Sequence, residues 1–191
     1  MSKFEFLEAT HQYLLDGVEL PGTTKVLSYH GIIDYAWLND WYRDKGNALH
    51  LATELWDRGV LDETTVDPRI QGRLDAWKKF RQDTGFEIVE IEKPSYHPHY
   101  LYGVKPDRWG LLNGKMTLVE IKPATVEKWH ILQRAANRAA VNAHGGIIQD
   151  DINVYLDDNG TYKLSNQSSG RREASEFFAL VTAMRVKEKY R

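Results

Sequence analysis

The stretch that decides the fold is Gly103-Val104-Lys105-Pro106-Asp107, followed by Asn113-Gly114 and then by Glu120-Ile121-Lys122. An Asn-Gly pair between two runs of β-forming residues is typical of a two-residue β-hairpin turn. Such a turn pairs residue 112 with residue 115, and therefore residue 107 with residue 120. Because side chains alternate along a strand, Asp107, Glu120 and Lys122 should share one face of the hairpin, and Ile121 should point to the other face.

Two carboxylates that face each other across a hairpin repel, so the pair Asp107 and Glu120 indicates a bound cation. Mg²⁺ is the obvious occupant, since it takes one or two carboxylates together with water and phosphate oxygens. The alternative is an exposed hairpin in which Glu120 and Lys122 form a solvated charge pair. That alternative would be favoured if the rest of the chain offered no further pattern.

Composition places the chain among ordinary globular proteins. It has 191 residues, 42% of them hydrophobic and 27% charged, which fits one domain with a sizeable core. The absence of cysteine excludes disulfides, thiolate zinc sites and cysteine nucleophiles. A net charge of -2 argues against binding of nucleic acid through the overall charge of the protein. No stretch suggests a membrane span or an export signal, so we expect a cytoplasmic protein.

Turn residues and hydrophobic periodicity predict an α/β protein in which helices flank a mixed sheet. The predicted strands are 4–7, 12–15, 18–20, 86–93, 100–109, 115–122, 152–156 and 161–164, and the predicted helices are 23–28, about 35–58, 67–82, 126–143 and 171–190. We therefore expect a single domain, 1–191, with an N-terminal hairpin and helical elaboration (1–66), an αβββαβ core (67–165) and a C-terminal loop and helix (166–191).

A wider set of residues carries a family resemblance. Pro106-Asp107, Glu120-Ile121-Lys122 and the later Gln133 resemble the signature of the PD-(D/E)XK nuclease superfamily in its RecB-like and phage exonuclease branch. Gly46 and His50 are similar to the Gly-x-x-x-His element that these nucleases carry before the core. The run from 11 to 27 also resembles the opening of phage-encoded members, so the likeness extends over roughly 4–164.

The resemblance implies a restriction-endonuclease-like core and a metal-dependent DNA nuclease, expected to be an exonuclease of recombination or repair. It implies Mg²⁺ or Mn²⁺, with two ions per site. Asp107, Glu120 and the backbone carbonyl of Ile121 would bind metal, and His50 would bind a second ion. Lys122 would position or deprotonate the attacking water, and the resemblance gives Gln133 the task of orienting the nucleophile or Lys122.

Several other residues are candidates with plainer alternatives. Arg43 could meet a DNA phosphate or form a surface ion pair, and Trp129 could stack on a base or pack in the core. Glu90 and Glu92 alternate onto one face, where either could add a carboxylate to the metal site or line a solvated surface. Asn137 stands where relatives often carry Tyr, which leaves that contact unassigned.

The resemblance names DNA as the substrate and a single-strand annealing protein as a candidate partner, with no membrane partner and the oligomeric state open. Two other functions remain. A non-catalytic DNA-binding or regulatory module could keep the fold, although it would usually have lost one of the signature residues. A hydrolase of RNA or nucleotides is the third hypothesis, and the modest overall charge is compatible with it.

Overall fold

We describe the protein from a computed structural model, which describes residues 2–33, 40–123 and 125–191, without the side chains of 40–43. Ten strands and five helices follow one another in this part of the chain. In chain order they are β1 (Phe4–Leu7), β2 (Gln12–Leu15), β3 (Val18–Leu20), α1 (Thr23–Tyr29), α2 (Asp40–Asp57), α3 (Pro68–Thr84), β4 (Glu87–Ile91), β5 (Ser95–Tyr96), β6 (Gly103–Val104), β7 (Arg108–Leu112), β8 (Lys115–Pro123), α4 (His130–Asn142), β9 (Asp150–Leu156), β10 (Tyr162–Leu164) and α5 (Arg171–Lys189).

The central feature is a five-stranded mixed sheet in the order β10-β9-β8-β7-β4. Strands β8 and β9 run parallel, and α4 makes the crossover between them, whereas the other pairs in this sheet are antiparallel. This arrangement confirms the predicted α/β class with a mixed sheet and flanking helices. Residues 34–39, which include the predicted start of the long helix, lie outside the described residues.

The register of the β7–β8 hairpin is the predicted one. Leu112 pairs with Lys115 and Arg108 pairs with Val119, so the next position of the ladder sets Asp107 opposite Glu120. Asn113 and Gly114 have φ of 51° and 75°, the positive values that a type I′ turn requires at both of its central residues.

Side chains of β8 alternate between two helical layers. Val119 and Ile121 pack in a core cluster with α2 and α3, including Leu49, Leu74 and Trp77. On the other face, Leu118 packs with residues from α4 and the segment that follows it. A third cluster joins α1, α4 and α5. Glu120 lies on the face of Leu118, and therefore on the side of the sheet that α4 covers.

Two predicted boundaries were wrong. The predicted strand 100–109 is divided: β6 pairs with β5 outside the main sheet, and β7 begins only at Arg108. Pro106 lies in the gap, and proline has no N–H to give to a strand ladder. The helix predicted from 126 begins at His130, and Trp129 occupies its N-cap position. The start of α3 agrees with prediction, since Asp67 caps Arg69 through a 2.9 Å hydrogen bond and Pro68 follows it.

The N-terminal hairpin lies against the strand that leads to Asp107. Gly22 and Gly103 form an isolated parallel bridge. The ring of Tyr13 covers Gly103 so closely that a Cβ there would lie 2.1 Å from Tyr13 Cγ. This contact fixes the hairpin beside the segment 103–107. Among the described residues, no helix combines the length and apolar character that crossing a lipid bilayer demands.

Candidate metal centre

The β7–β8 hairpin brings three signature side chains together. Asp107 Oδ2 accepts a 2.7 Å hydrogen bond from the backbone N–H of Ile121, which holds this carboxylate against β8. Lys122 Nζ lies 3.2 Å from Glu120 Oε2. Asp107 and Glu120 are both buried, and the Lys122 side chain is only 11% exposed. The two carboxylates and the ammonium therefore form a buried, charged site at one end of the hairpin.

Two residues from distant segments complete a group of metal-type donors. His50 of α2 places Nδ1 3.3 Å from Asp107 Oδ1 and 3.9 Å from Glu92 Oε1. One donor atom from each of His50, Glu92 and Asp107 lies within 4.8 Å of the other two, and this is the one such group among the described residues. Glu120 is not a member of this group, since its carboxylate is held by Lys122 and Asn137.

Glu92 reaches the group because the backbone turns after β4. A bulge interrupts the pairing of β4 with β7 between Ile88 and Glu90, and Glu92 itself has a φ of 49°. Its N–H donates a 3.0 Å hydrogen bond to the backbone oxygen of Asp107. Glu90 stays on the strand and pairs with Lys93. The two acidic residues therefore have different surroundings, which strand alternation alone did not predict.

A buried ion-pair network supports Glu92 from behind. Arg108 and Asp57 have fully buried side chains and meet at 2.8 Å, and Arg108 Nη1 lies 3.3 Å from Glu92 Oε1. Asp57 also accepts hydrogen bonds from Trp77 Nε1 and forms an ion pair with Arg81. Buried charges persist in proteins when they are paired in this way. The network connects the C-terminal end of α2, the helix that also contains His50, to β7, the strand that follows Asp107.

The charges of the centre shift one another's protonation. Burial and the neighbouring Asp107 raise the pKa of Glu92 to about 7, and the same two causes raise the pKa of Glu120. Burial acts against the charge of Asp107, but His50, Lys122 and the Ile121 amide outweigh it and lower the pKa of Asp107. Negative charge is therefore concentrated at Asp107, whereas Glu92 and Glu120 are easier to protonate than free carboxylates.

Burial lowers the pKa of the two cationic groups, but the neighbouring carboxylates raise it by more. Burial opposes the charge of His50, yet Asp107 and Glu92 outweigh it, so the pKa of His50 is raised. Burial likewise opposes the charge of Lys122, and Glu120 and Asp107 outweigh it, so the pKa of Lys122 is raised. Without a bound cation, these two side chains are the counter-charges that allow the carboxylates to lie close together.

Helix α4 supplies a support for Glu120 that the sequence left unassigned. Asn137 Nδ2 donates a 2.8 Å hydrogen bond to Glu120 Oε1. Thr23 of α1 donates in turn to Asn137 Oδ1 at 3.2 Å. All three residues are buried. Asn137 therefore fixes the Glu120 carboxylate from the position where relatives were expected to carry Tyr.

The remaining candidate residues belong to α2 and to α4 with its N-cap. Gln133 is in α4 with its Oε1 buried and without a hydrogen-bond partner among the described residues, and no hydrogen bond joins it to Lys122. Trp129 packs against the α1, α4 and α5 cluster. Arg43 is in α2, but its side chain lies outside the described part of the chain. A Cβ at Gly46 would meet no described atom within 4 Å, so packing among the described residues does not require a glycine there.

The donor set fits a hard divalent cation. A group of two carboxylates and one imidazole suits Mg²⁺ or Mn²⁺, and the imidazole favours Mn²⁺ somewhat. The close approach of His50, Glu92 and Asp107, with Glu120 beside them, concentrates acidic oxygen in a small volume. Sequence reasoning left Glu92 open and gave no role to Lys105 or Arg108, whose positions depend on the backbone turn after β4.

The fold is shared with a known exonuclease. No protein-family model and no curated protein matches the sequence. The solved structure of an alkaline exonuclease (LHK-Exo) from Laribacter hongkongensis is similar over 90% of this chain and 88% of that chain, with a TM-score of 0.53 and 16% sequence identity. LHK-Exo in complex with dAMP is similar over the same shares, with a TM-score of 0.54 and 16% identity. The chain therefore has the fold of this exonuclease.

Proposed function

We propose that the protein is a metal-dependent deoxyribonuclease, an exonuclease that hydrolyses phosphodiester bonds of DNA. The observation that carries the proposal is the convergence of His50, Glu92 and Asp107 beside Glu120 and Lys122. The shared fold with LHK-Exo, which was also crystallised with dAMP, supports the same assignment. The resemblance to PD-(D/E)XK nucleases includes the same hairpin together with His50 and Gln133.

The residues divide into two metal-binding sets in this proposal. His50, Glu92 and Asp107 hold one divalent ion, and Asp107, Glu120 and the carbonyl of Ile121 hold a second. Asp107 is common to both sets, in agreement with its place at the centre of the charges. The bound ions, Mg²⁺ or Mn²⁺, would polarise a phosphate oxygen and lower the pKa of a bound water.

Lys122 and Gln133 would orient the attacking water. The Lys122 ammonium lies beside Glu120 and donates hydrogen bonds that orient the attacking water. Gln133 Oε1 is a buried acceptor that has no partner among the described residues, and it is suited to accept a hydrogen bond from that water or from Lys122. Burial of the carboxylates keeps bulk water from screening these interactions.

The test is digestion of linear DNA by the purified protein with Mg²⁺ or Mn²⁺. Asp107→Asn, Glu120→Gln and Lys122→Met should each abolish the activity while the circular dichroism spectrum is retained. Glu92→Gln and His50→Ala should weaken it strongly. The matched control is Glu90→Gln, because Glu90 is a carboxylate of the same segment that pairs with Lys93 and lies outside the donor group. Full activity in excess chelator, or in Asp107→Asn, would overturn the proposal.

The choice of substrate can be tested in the same assay. Digestion of linear DNA, circular DNA, RNA and dinucleotides side by side separates an exonuclease from an endonuclease and from a hydrolase of RNA or nucleotides. DNA binding without any hydrolysis would instead identify a non-catalytic module.

The wider biological assignment rests on the sequence. It comprises a role in recombination or repair of the phage type, a cytoplasmic location, one nuclease domain spanning 1–191 and a single-strand annealing protein as partner. The resemblance gives the role and the partner, and length and composition give the single domain and the cytoplasmic location, which is the host cytoplasm if a phage encodes the protein. Co-purification of the tagged protein with such a partner during infection or induction would test the partner.

A further inference from the structure

Lys105 lies between two carboxylates on the rim of the metal centre. Its Nζ is 3.1 Å from Glu92 Oε2 and 3.0 Å from Glu8 Oε1. Glu92 turns its other oxygen, Oε1, towards His50 and Arg108. A single carboxylate, that of Glu92, therefore separates the Lys105 ammonium from the donor group.

The two partners of Lys105 differ in their surroundings. Glu92 is 12% exposed and is held by several contacts, whereas the Glu8 side chain is 75% exposed. Glu8 belongs to the short 3-10 turn Glu8–Thr10 that joins β1 to β2. Because the Glu8 end of this ion pair is exposed, water or another anion can replace the Glu8 carboxylate at little cost.

The N-terminal hairpin gives this ammonium a defined environment. The Lys105 side chain is 13% exposed, and Nζ lies 5.4 Å from the ring centroid of Phe6. His11 contacts the same ring edge-on at 5.1 Å, and its Nε2 lies 3.2 Å from the Tyr13 hydroxyl. An ammonium fixed by an aromatic ring and a buried carboxylate, with its third side towards an exposed anion, is pre-organised for anion binding.

We propose that Lys105 forms a phosphodiester-binding subsite next to the metal centre and that the Glu8 carboxylate occupies this subsite in the free protein. A carboxylate and a phosphodiester both present oxygens to an ammonium, so DNA would exchange one for the other. This inference rests on the proposed nuclease function, and it adds a residue that binds substrate and an acidic residue that competes with it. A net charge of -2 makes such a local contact necessary for a DNA-binding protein.

The plain alternative is that Glu8 and Lys105 form a clamp that only fixes the hairpin. The two interpretations predict opposite effects for Glu8→Gln. If Glu8 competes with DNA, loss of its charge tightens binding. If the pair is only a clamp, the same change loosens the hairpin and leaves binding unchanged or weaker.

The experiment measures the dissociation constant of a short fluorescent DNA duplex by anisotropy, with Ca²⁺ in place of Mg²⁺ to suppress hydrolysis. Glu8→Gln should bind about two- to fivefold more tightly, the range expected for removal of an exposed ion pair. The matched control is Glu5→Gln, which removes one exposed carboxylate of the same hairpin from its pair with Lys3. Glu5→Gln should bind as the wild type does, because the net charge changes equally but Lys105 is not released.

Lys105 variants test the other partner of the pair. Lys105→Met should bind more weakly and should reduce the slope of log affinity against log salt by about one, as loss of one phosphate contact requires. Lys105→Arg should retain most of the affinity. Thermal denaturation of each variant shows whether it is folded, and Glu8→Gln decides the question if Lys105→Met does not fold.

The outcomes separate the two proposals. A wild-type protein that degrades DNA, with Glu8→Gln and Glu5→Gln equal in affinity or with Glu8→Gln weaker, overturns the subsite and leaves the nuclease function standing. A wild-type protein that neither binds nor degrades DNA overturns both.

Discussion

The Asn137 side chain of α4 connects Glu120, in the candidate metal centre, to Thr23 of α1. It donates to Glu120 at 2.8 Å and accepts from Thr23 at 3.2 Å, so α4 and α1 both bear on the orientation of one carboxylate. Hydrogen-bond partners of metal-binding carboxylates hold them in one conformation and influence affinity without touching the ion. If Glu120 binds metal as proposed, Asn137 is a positioning residue for it.

We expect Asn137→Ala to weaken Mn²⁺ binding by about 10- to 100-fold, the usual effect of losing such a partner. Isothermal titration calorimetry of the metal-free protein measures this directly, without reference to activity. The control is Asn142→Ala, because Asn142 lies in the same helix. Among the described residues its side chain bonds to the backbone of Ile148, donating to the oxygen at 3.0 Å and accepting from the N–H at 2.9 Å. Equal metal affinity in Asn137→Ala and Asn142→Ala would contradict the positioning role.

The residue-scale predictions from sequence succeed where local rules suffice. The Asn113-Gly114 turn and strand alternation set Asp107 opposite Glu120, with Lys122 on the same face. The place of Glu92 could not be predicted in this way, because it depends on a positive φ beyond the end of a bulged strand.

Helix α4 begins with a buried histidine whose chemistry bears on stability. His130 Nδ1 accepts a hydrogen bond from the backbone N–H of Glu127 at 3.3 Å and lies 3.2 Å from the Tyr155 hydroxyl. An Nδ1 that accepts carries no proton, and burial together with Lys122 and Arg134 lowers the pKa of His130 to about 3. The positive end of the helix dipole acts in the same direction.

The contribution of His130 to the stability of the protein should therefore fall as the pH falls through about 6.5. Below the ordinary pKa of 6.5, the unfolded chain binds a proton at His130 that the folded chain refuses, so His130 contributes most stability above that pH. The slope due to one such group is at most about 1.4 kcal/mol per pH unit. Urea unfolding from pH 7.5 to pH 4.5 measures it.

His130→Asn is the control for this pH dependence, because asparagine keeps an acceptor near the position of Nδ1 and does not titrate. We expect the free energy of unfolding of this variant to fall less steeply with acidification. Parallel slopes in the wild type and the variant would assign the pH dependence to other groups.

At the scale of elements, helices and hairpins were predicted well and their boundaries less so. Asp67-Pro68 indicated the start of α3, because capping is a local interaction. The start of α4 was placed four residues too early, since 125–129 has no side-chain N-cap of the usual kind and the helix begins where His130 is anchored to Tyr155. The break at Pro106 depended on the pairing of β6 with β5, a contact between separate segments.

In the whole molecule, the metal centre draws its residues from α2, the turn after β4, the β7–β8 hairpin and α4. His50 and Asp107 are distant in sequence, and they meet only because α2 packs on the sheet through the cluster that includes Leu49 and Val119. No local rule gives such a distance. The resemblance suggested that His50 belonged to the site, but packing of the complete core brings it to 3.3 Å from Asp107.

Because the site exists only in the folded molecule, a bound metal should stabilise the whole protein. At a metal concentration about 100 times the dissociation constant, the gain is about 2.7 kcal/mol, which raises the melting temperature of a chain of this size by several degrees. Differential scanning calorimetry with increasing Mn²⁺ should show a melting temperature that rises with the logarithm of the concentration. Asp107→Asn should show no such rise, and a rise equal to that of the wild type would place the bound ion elsewhere.

The contact of Tyr13 with Gly103 has an evolutionary consequence. A methyl group at position 103 would overlap the Tyr13 ring, at 2.1 Å from Cγ, so the two positions are not free to vary independently. Related sequences that have a side chain at position 103 need a smaller residue at position 13. Related sequences that keep an aromatic ring at position 13 need to keep glycine at position 103. The two positions should therefore change together, and this paired substitution would mark the related sequences that retain the opening hairpin against the strand before Asp107.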